Sequence, residues 1–164
     1  MKQIRQGVFE TNSSSTHSIC IAKDVKQSIP KNIHFSFGEF GWERDTLSSI
    51  QEKASYLYTG MMYINPKGMD KIIETLQKSG VEVTRVMPIY KTSEWNGDDY
   101  IDNGGYVDHA GYLAPFLTAI LESEERLLSF LFSDLSFIIT GNDNDDCDVD
   151  INVKYPYEEF YKGN

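Results

Sequence analysis

The chain of 164 residues has no apolar run approaching the roughly 20 residues that a membrane span needs. Its opening, Met1-Lys2-Gln3-Ile4-Arg5-Gln6, leads into no stretch that would serve as a secretory signal. Cysteine is scarce: Cys20 and Cys147 have neither metal-ligand nor redox spacing, so the default is a cytoplasmic protein with two reduced thiols. There is no Gly-Lys-Ser/Thr element, which excludes a Walker phosphate loop, and no Gly-x-Ser-x-Gly, which excludes a nucleophile elbow. Above all, one third of the chain lacks basic residues. Between 92 and 152, Arg126 stands alone against fourteen Asp and Glu, leaving −13 there, while the whole chain carries −10. Such a balance argues against direct, non-specific nucleic-acid binding, which needs clustered Lys and Arg against phosphate.

What is present suffices for one compact domain over 1–164. Hydrophobic residues make up 40% and aromatic residues 13%, enough to build a core. Period-two alternation or short apolar runs place strands at 4–9, 18–22, 33–37, 81–86, 135–140 and 149–153, the fifth central because it barely alternates. Helical spacing of Leu47, Ile50, Ala54, Leu57 and Met61 predicts a helix to about Met62, capped by Asp45 or Thr46. Asn65-Pro66 opens a second helix that Gly80 closes, and two more cover 112–121 and 123–132. The fold class is therefore α+β, a mixed or antiparallel sheet of about five to six strands with about four helices packed on it. Residues 91–111 read as a long acidic loop, and 154–164 as an aromatic tail that docks on its own domain or on a partner.

Three places could carry chemistry. The polar run 10–18 reads as a loop, in which Glu10, Asn12, Ser13, Ser14, Ser15 and His17 could cradle an anion, with His17 supplying a proton or a positive charge. Paired with one of the serines, His17 is also the sharpest enzymatic candidate. Asp108-His109 joins a carboxylate to an imidazole, as metal ligands and oriented bases often do. The turn at 141–150 is dense in oxygen, so Asp143, Asp145, Asp148 and Asp150 could hold a divalent cation, Mg²⁺ or Ca²⁺. It is not an EF-hand: Asp148 stands where glycine is needed and Lys154 where the bidentate Glu belongs. The catalytic candidates are His17, Asp108 and His109, and no cofactor follows beyond that divalent cation. Aromatic residues add binding candidates, Trp42 in a glycine-punctuated loop, then Trp95 and Tyr100 among Asp98, Asp99 and Asp102.

Ile4-Arg5-Gln6-Gly7-Val8-Phe9-Glu10-Thr11-Asn12-Ser13-Ser14-Ser15-Thr16-His17-Ser18-Ile19 resembles the opening of small, mostly uncharacterised proteins carried by phages and mobile elements of Gram-positive bacteria. Segments such as Phe37-Gly38-Glu39-Phe40-Gly41-Trp42-Glu43 and Val107-Asp108-His109 look similar too. The resemblance implies no activity, only a bacterial host cell in which many small proteins counteract defence. Joined to the charge pattern, it gives the leading expectation, a binding protein rather than an enzyme. Its acidic 92–152 segment, interleaved with aromatics, would occupy a basic surface of a host defence protein or nuclease–guide complex and inhibit it, in the manner of an anti-CRISPR. The other reading is a metal-dependent phosphoester hydrolase, or a nucleotide-binding or sequestering protein, using the Ser13–His17 loop with Asp108 and His109.

Overall fold

In the computed structural model of the chain, residues 15–23, 27–41, 43–142 and 157–162 are described. The strands expected at 4–9 and 149–153 lie outside them.

Strand β1 (Ser15–Ala22) is buried along its whole length, polar start included. It is an interior strand, paired antiparallel on one side with β9 (Phe137–Asn142) and on the other with β10 (Tyr157–Lys162). With β4 (Asp45–Leu47) they form a four-stranded sheet in the order β10-β1-β9-β4. Ser15 and Thr16 pair with β9, and from His17 to Cys20 ladders run on both sides; this backbone pairing lets so polar a stretch be buried. Ser15 and His17 therefore lie on a strand, not in the loop expected for 10–18. The tail docks on its own domain as β10, and the apolar stretch before Thr140 is interior, between β1 and β4.

Helix α1 (Ile50–Ile64) runs through the core, with every residue from Lys53 to Met62 buried. A helix buried on all sides has no single apolar stripe, so the stripe read from the sequence marks only part of its contact surface. Its start also departs from expectation. Residues 45–47 extend as β4, and Ser49 forms the cap in a reciprocal capping box with Glu52. Asn65 then accepts from the Gly68 amide at 3.2 Å, and α2 (Gly68–Lys78) ends before Gly80, whose φ is 83°. Strand β2 (Asn32–Phe35) alternates exposed and buried as expected, and pairs in parallel with β5 (Glu82–Arg85).

Two further short pairs complete the domain. Strand β3 (Glu39–Phe40) lies parallel to β8 (Tyr106–Val107), and β6 (Tyr90–Thr92) antiparallel to β7 (Asp99–Ile101). Thus 91–111 is not one long loop but a hairpin followed by a strand. A 3₁₀ turn (Ala110–Leu113) leads into α3 (Ala114–Glu122), and α4 (Glu124–Phe132) follows under a Ser123 cap. The architecture is α+β, with four α-helices among the described residues and strands more numerous and shorter than anticipated because they divide among several small sheets. Among the described residues no helix is long and apolar enough to cross a membrane.

One core group makes stability depend on pH. Lys53 is 1% exposed, and its Nζ donates to the Ser133 and Ser136 carbonyls at 2.7 and 3.0 Å, just past the end of α4. Burial outweighs the attraction of Asp134 and Glu52 and pushes its pKa down to about 8. Below that pH the folded and unfolded chains both hold the proton, and the cost of the buried charge is fully present. Above it the folded chain releases the proton first, so stability rises with pH until the unfolded lysine also titrates. Raising the pH from 7 to 9.5 is expected to add about 2 kcal/mol through this group. In Lys53→Met, equilibrium unfolding at the two pH values should lack that increment.

Candidate functional site

Two features stand out, a buried imidazole network and a projecting arm. The network begins on β1. Side chains two apart on a strand share a face, so Ser15, His17, Ile19 and Ile21 point together. His17 Nδ1 lies 2.9 Å from the Tyr56 hydroxyl on α1, and its Nε2 lies 2.9 Å from the Asp108 carbonyl. A carbonyl only accepts, so Nε2 carries the proton and donates. Neutral Nδ1 then accepts from Tyr56, whose hydroxyl burial holds strongly protonated. Ser15 Oγ sits 3.2 Å from His17 Nε2 and 3.3 Å from His109 Nδ1, and His109 Nδ1 sits 3.0 Å from Asp108 Oδ2. Burial works to raise the Asp108 pKa, but hydrogen bonds from His109 and Ser15 outweigh it and hold the carboxyl below its ordinary value.

The fold thus brings together residues about 90 apart in sequence, Ser15 and His17 with Asp108 and His109. Their arrangement decides what they can do. His17 Nε2 is spent as a donor, so it cannot take a proton from Ser15. The Ser15–His17 pair is a structural tie between β1, α1 and the β8–α3 connection. Within this group His109, on the rim, keeps a ring nitrogen (Nε2) with no hydrogen bond among the described residues. Its backbone is left-handed, at φ 52° and ψ 37°, alone among the described non-glycine residues in having a positive φ.

Gly41, at φ 114°, lets the network close: a side chain there would press on the Asp108 Cβ at 2.9 Å and the His17 ring at 3.1 Å. Gly41 also lines a hollow of about 280 Å³ with Glu39, Glu43, Asp45, Tyr106 and Thr140. Burial and the nearby Glu39, Asp108 and Glu43 raise the Tyr106 pKa. Among the described residues its lining holds three carboxylates and no Lys or Arg, so this hollow repels phosphate. Among the described residues no three of His, Cys, Asp and Glu come together as metal ligands. Glu10, Asn12, Ser13, Ser14, Trp42, Asp143, Asp145, Asp148 and Asp150 lie outside the described residues.

The arm is the segment 86–105. Two tyrosines of α1 hold its ends: Tyr58 donates to the Val86 carbonyl at 2.5 Å and Tyr63 to the Gly105 carbonyl at 2.6 Å. Asn103 ties the base, accepting from the Ile89 amide at 2.7 Å and donating to the Met87 carbonyl at 2.8 Å. Beyond it β6 and β7 pair, among the described residues, only with each other, closing through a turn in which Gly97 has φ 75°. Tyr90, Tyr100, Met87 and Ile89 are exposed along the arm, and Trp95 near its tip is 94% exposed.

The arm holds four carboxylates and one lysine. Lys91 pairs with Asp102 at 2.8 Å, so the uncompensated charge is that of Glu94, Asp98 and Asp99, flanking Trp95. Asp98 accepts from Asn96 Nδ2 at 2.6 Å and Asp99 from Thr92 Oγ1 at 2.7 Å, which orients both carboxylates. The other acids of 92–142 sit on different elements. Asp108 belongs to the network, Glu122, Glu124 and Glu125 flank the α3–α4 junction, and Asp134 lies near Lys53. The described acids of the 92–152 segment are thus spread over the arm, the network and the α3–α4 region.

Sequence reasoning named Trp95, Asp98, Asp99, Tyr100 and Asp102 without the hairpin that gathers them. It missed Tyr56 and Tyr63, whose helical positions reveal nothing of the distant carbonyl or imidazole each meets. Comparison with family models, curated proteins and solved structures gives no match to this chain.

Proposed function

We propose that the protein works by binding, with the 86–105 arm as its docking surface and a basic protein surface as its target. The observation that carries this is the 94% exposure of Trp95 on a hairpin bearing three uncompensated carboxylates. A bare indole among oriented acids contributes nothing to the core, yet a buried aromatic anchor with complementary charge is what dominates many interfaces. The resemblance of 4–19 to phage- and mobile-element-borne proteins supplies the setting. There, the target is a nucleic-acid-targeting defence protein of the bacterial host, whose basic channel the arm occupies and blocks.

Catalysis has narrower support, because Ser15 and His17 are committed to structural hydrogen bonds and the adjacent hollow is acidic. The test compares capture from a Gram-positive host lysate by the wild-type chain and by Trp95→Ala combined with Asp98→Asn and Asp99→Asn. The wild type should retain a basic nuclease or guide-binding protein, releasable by about 0.5 M salt, and the variant about tenfold less. Equal recovery by both would remove the arm from the binding surface.

A further inference from the structure

We infer that the arm selects arginine over lysine on its partner: a guanidinium stacks on the Trp95 indole and donates to the carboxylates of Asp98 and Asp99. This rests on the reading of the arm as a docking surface and names the group it takes.

Trp95 presents open ring faces, and indole is the strongest aromatic partner for a cation. Beside it, Asp98 and Asp99 are not loose charges, since Asn96 and Thr92 each fix one carboxylate oxygen. In each case the other oxygen, Asp98 Oδ1 or Asp99 Oδ2, has no hydrogen-bond partner among the described residues. Oriented carboxylates suit a planar fork of N–H donors, which an ammonium point charge cannot match.

Hydration points the same way. At a surface this exposed, a lone lysine–carboxylate pair contributes little, because the ammonium stays strongly hydrated and its long side chain must be held still. The more weakly hydrated guanidinium can stack and donate at once, so the two contributions add on a single side chain. Lys91 sharpens the choice by pairing with Asp102. The surplus charge is thereby left at the tip, within four residues of the indole.

The experiment titrates the chain with blocked tetra-arginine and tetra-lysine peptides, reading Trp95 fluorescence in a Trp42→Phe background. The same titration on the wild type, read from the Trp95 indole N–H resonance, guards against a folding defect in that variant. Tetra-arginine should half-saturate at a concentration about fivefold below tetra-lysine. Asp98→Asn with Asp99→Asn should abolish that preference. Equal half-saturation by the two peptides, in a chain that binds both, would overturn the arginine assignment while leaving a basic partner in place. No response to either peptide would overturn both.

Discussion

Gly105→Ala is expected to cost this protein about 4 kcal/mol or more of unfolding free energy, a large effect for a single methyl group. The reason is backbone, not side chain. A Cβ on Gly105 would fall inside the Gly38 carbonyl, where nothing can rotate away. The Tyr106 amide donates to that same carbonyl at 2.9 Å, and Tyr63 donates to the Gly105 carbonyl. Moving the strands apart would therefore loosen the β3–β8 pair and one end of the arm together. Gly111 is the control, because a Cβ there meets nothing within 4 Å, and Gly111→Ala should stay within about 0.5 kcal/mol of wild type. Denaturant titration of both variants checks this, and a loss below about 1 kcal/mol in Gly105→Ala would contradict the close approach.

Removing the buried imidazole should be nearly as damaging. His17→Ala leaves the Tyr56 hydroxyl unpaired, and leaves the Asp108 carbonyl with the longer 3.4 Å bond from Ser15 Oγ, in a site where His17 itself is 1% exposed. One stranded hydroxyl, a weakened carbonyl bond and a cavity together are expected to cost about 3–5 kcal/mol. Tyr56→Phe, which strands only Nδ1, should cost about 1–3 kcal/mol. In the His17→Ala background the same Tyr56→Phe change should cost far less, or even stabilise, because the hydroxyl no longer has a partner to lose. A double-mutant cycle measures that coupling, expected at about 1 kcal/mol or more. Additive losses would mean that the two side chains do not share a hydrogen bond.

Much of the fold could be read from local patterns. Ser123 and Gly80 mark helix ends by their chemistry, and Ile33 and Phe35 alternate with exposed neighbours as a half-buried strand should. The polar opening of β1 misled for a physical reason. Composition says that Ser15, Thr16, His17 and Ser18 need partners, but it does not say that two flanking strands and Tyr56 supply them. The helix start slipped to Ser49 because Asp45 and Thr46 are also good caps, and only the pairing of β4 with β9 removes them from the helix.

The candidate sites follow the same division. Trp95, Asp98 and Asp99 were legible because they are close in sequence and chemically conspicuous. Ser15 and Asp108 were visible separately, yet their meeting depends on a glycine, Gly41, whose role appears only when the chain is folded. The concentration of charge on the arm was hidden too. It depends on Lys91 pairing with Asp102 and not with Asp98 or Asp99, and on the α3–α4 acids lying on other elements.

The claim that Trp95 is held out for a partner has a direct measurement, the unfolding free energy of Trp95→Ala set beside its capture of the partner. A docking residue gives stability within about 0.5 kcal/mol of wild type while retention of the basic partner collapses. A loss of about 2 kcal/mol in stability with unchanged retention would make the indole a packing residue, and the arm would no longer be the binding surface.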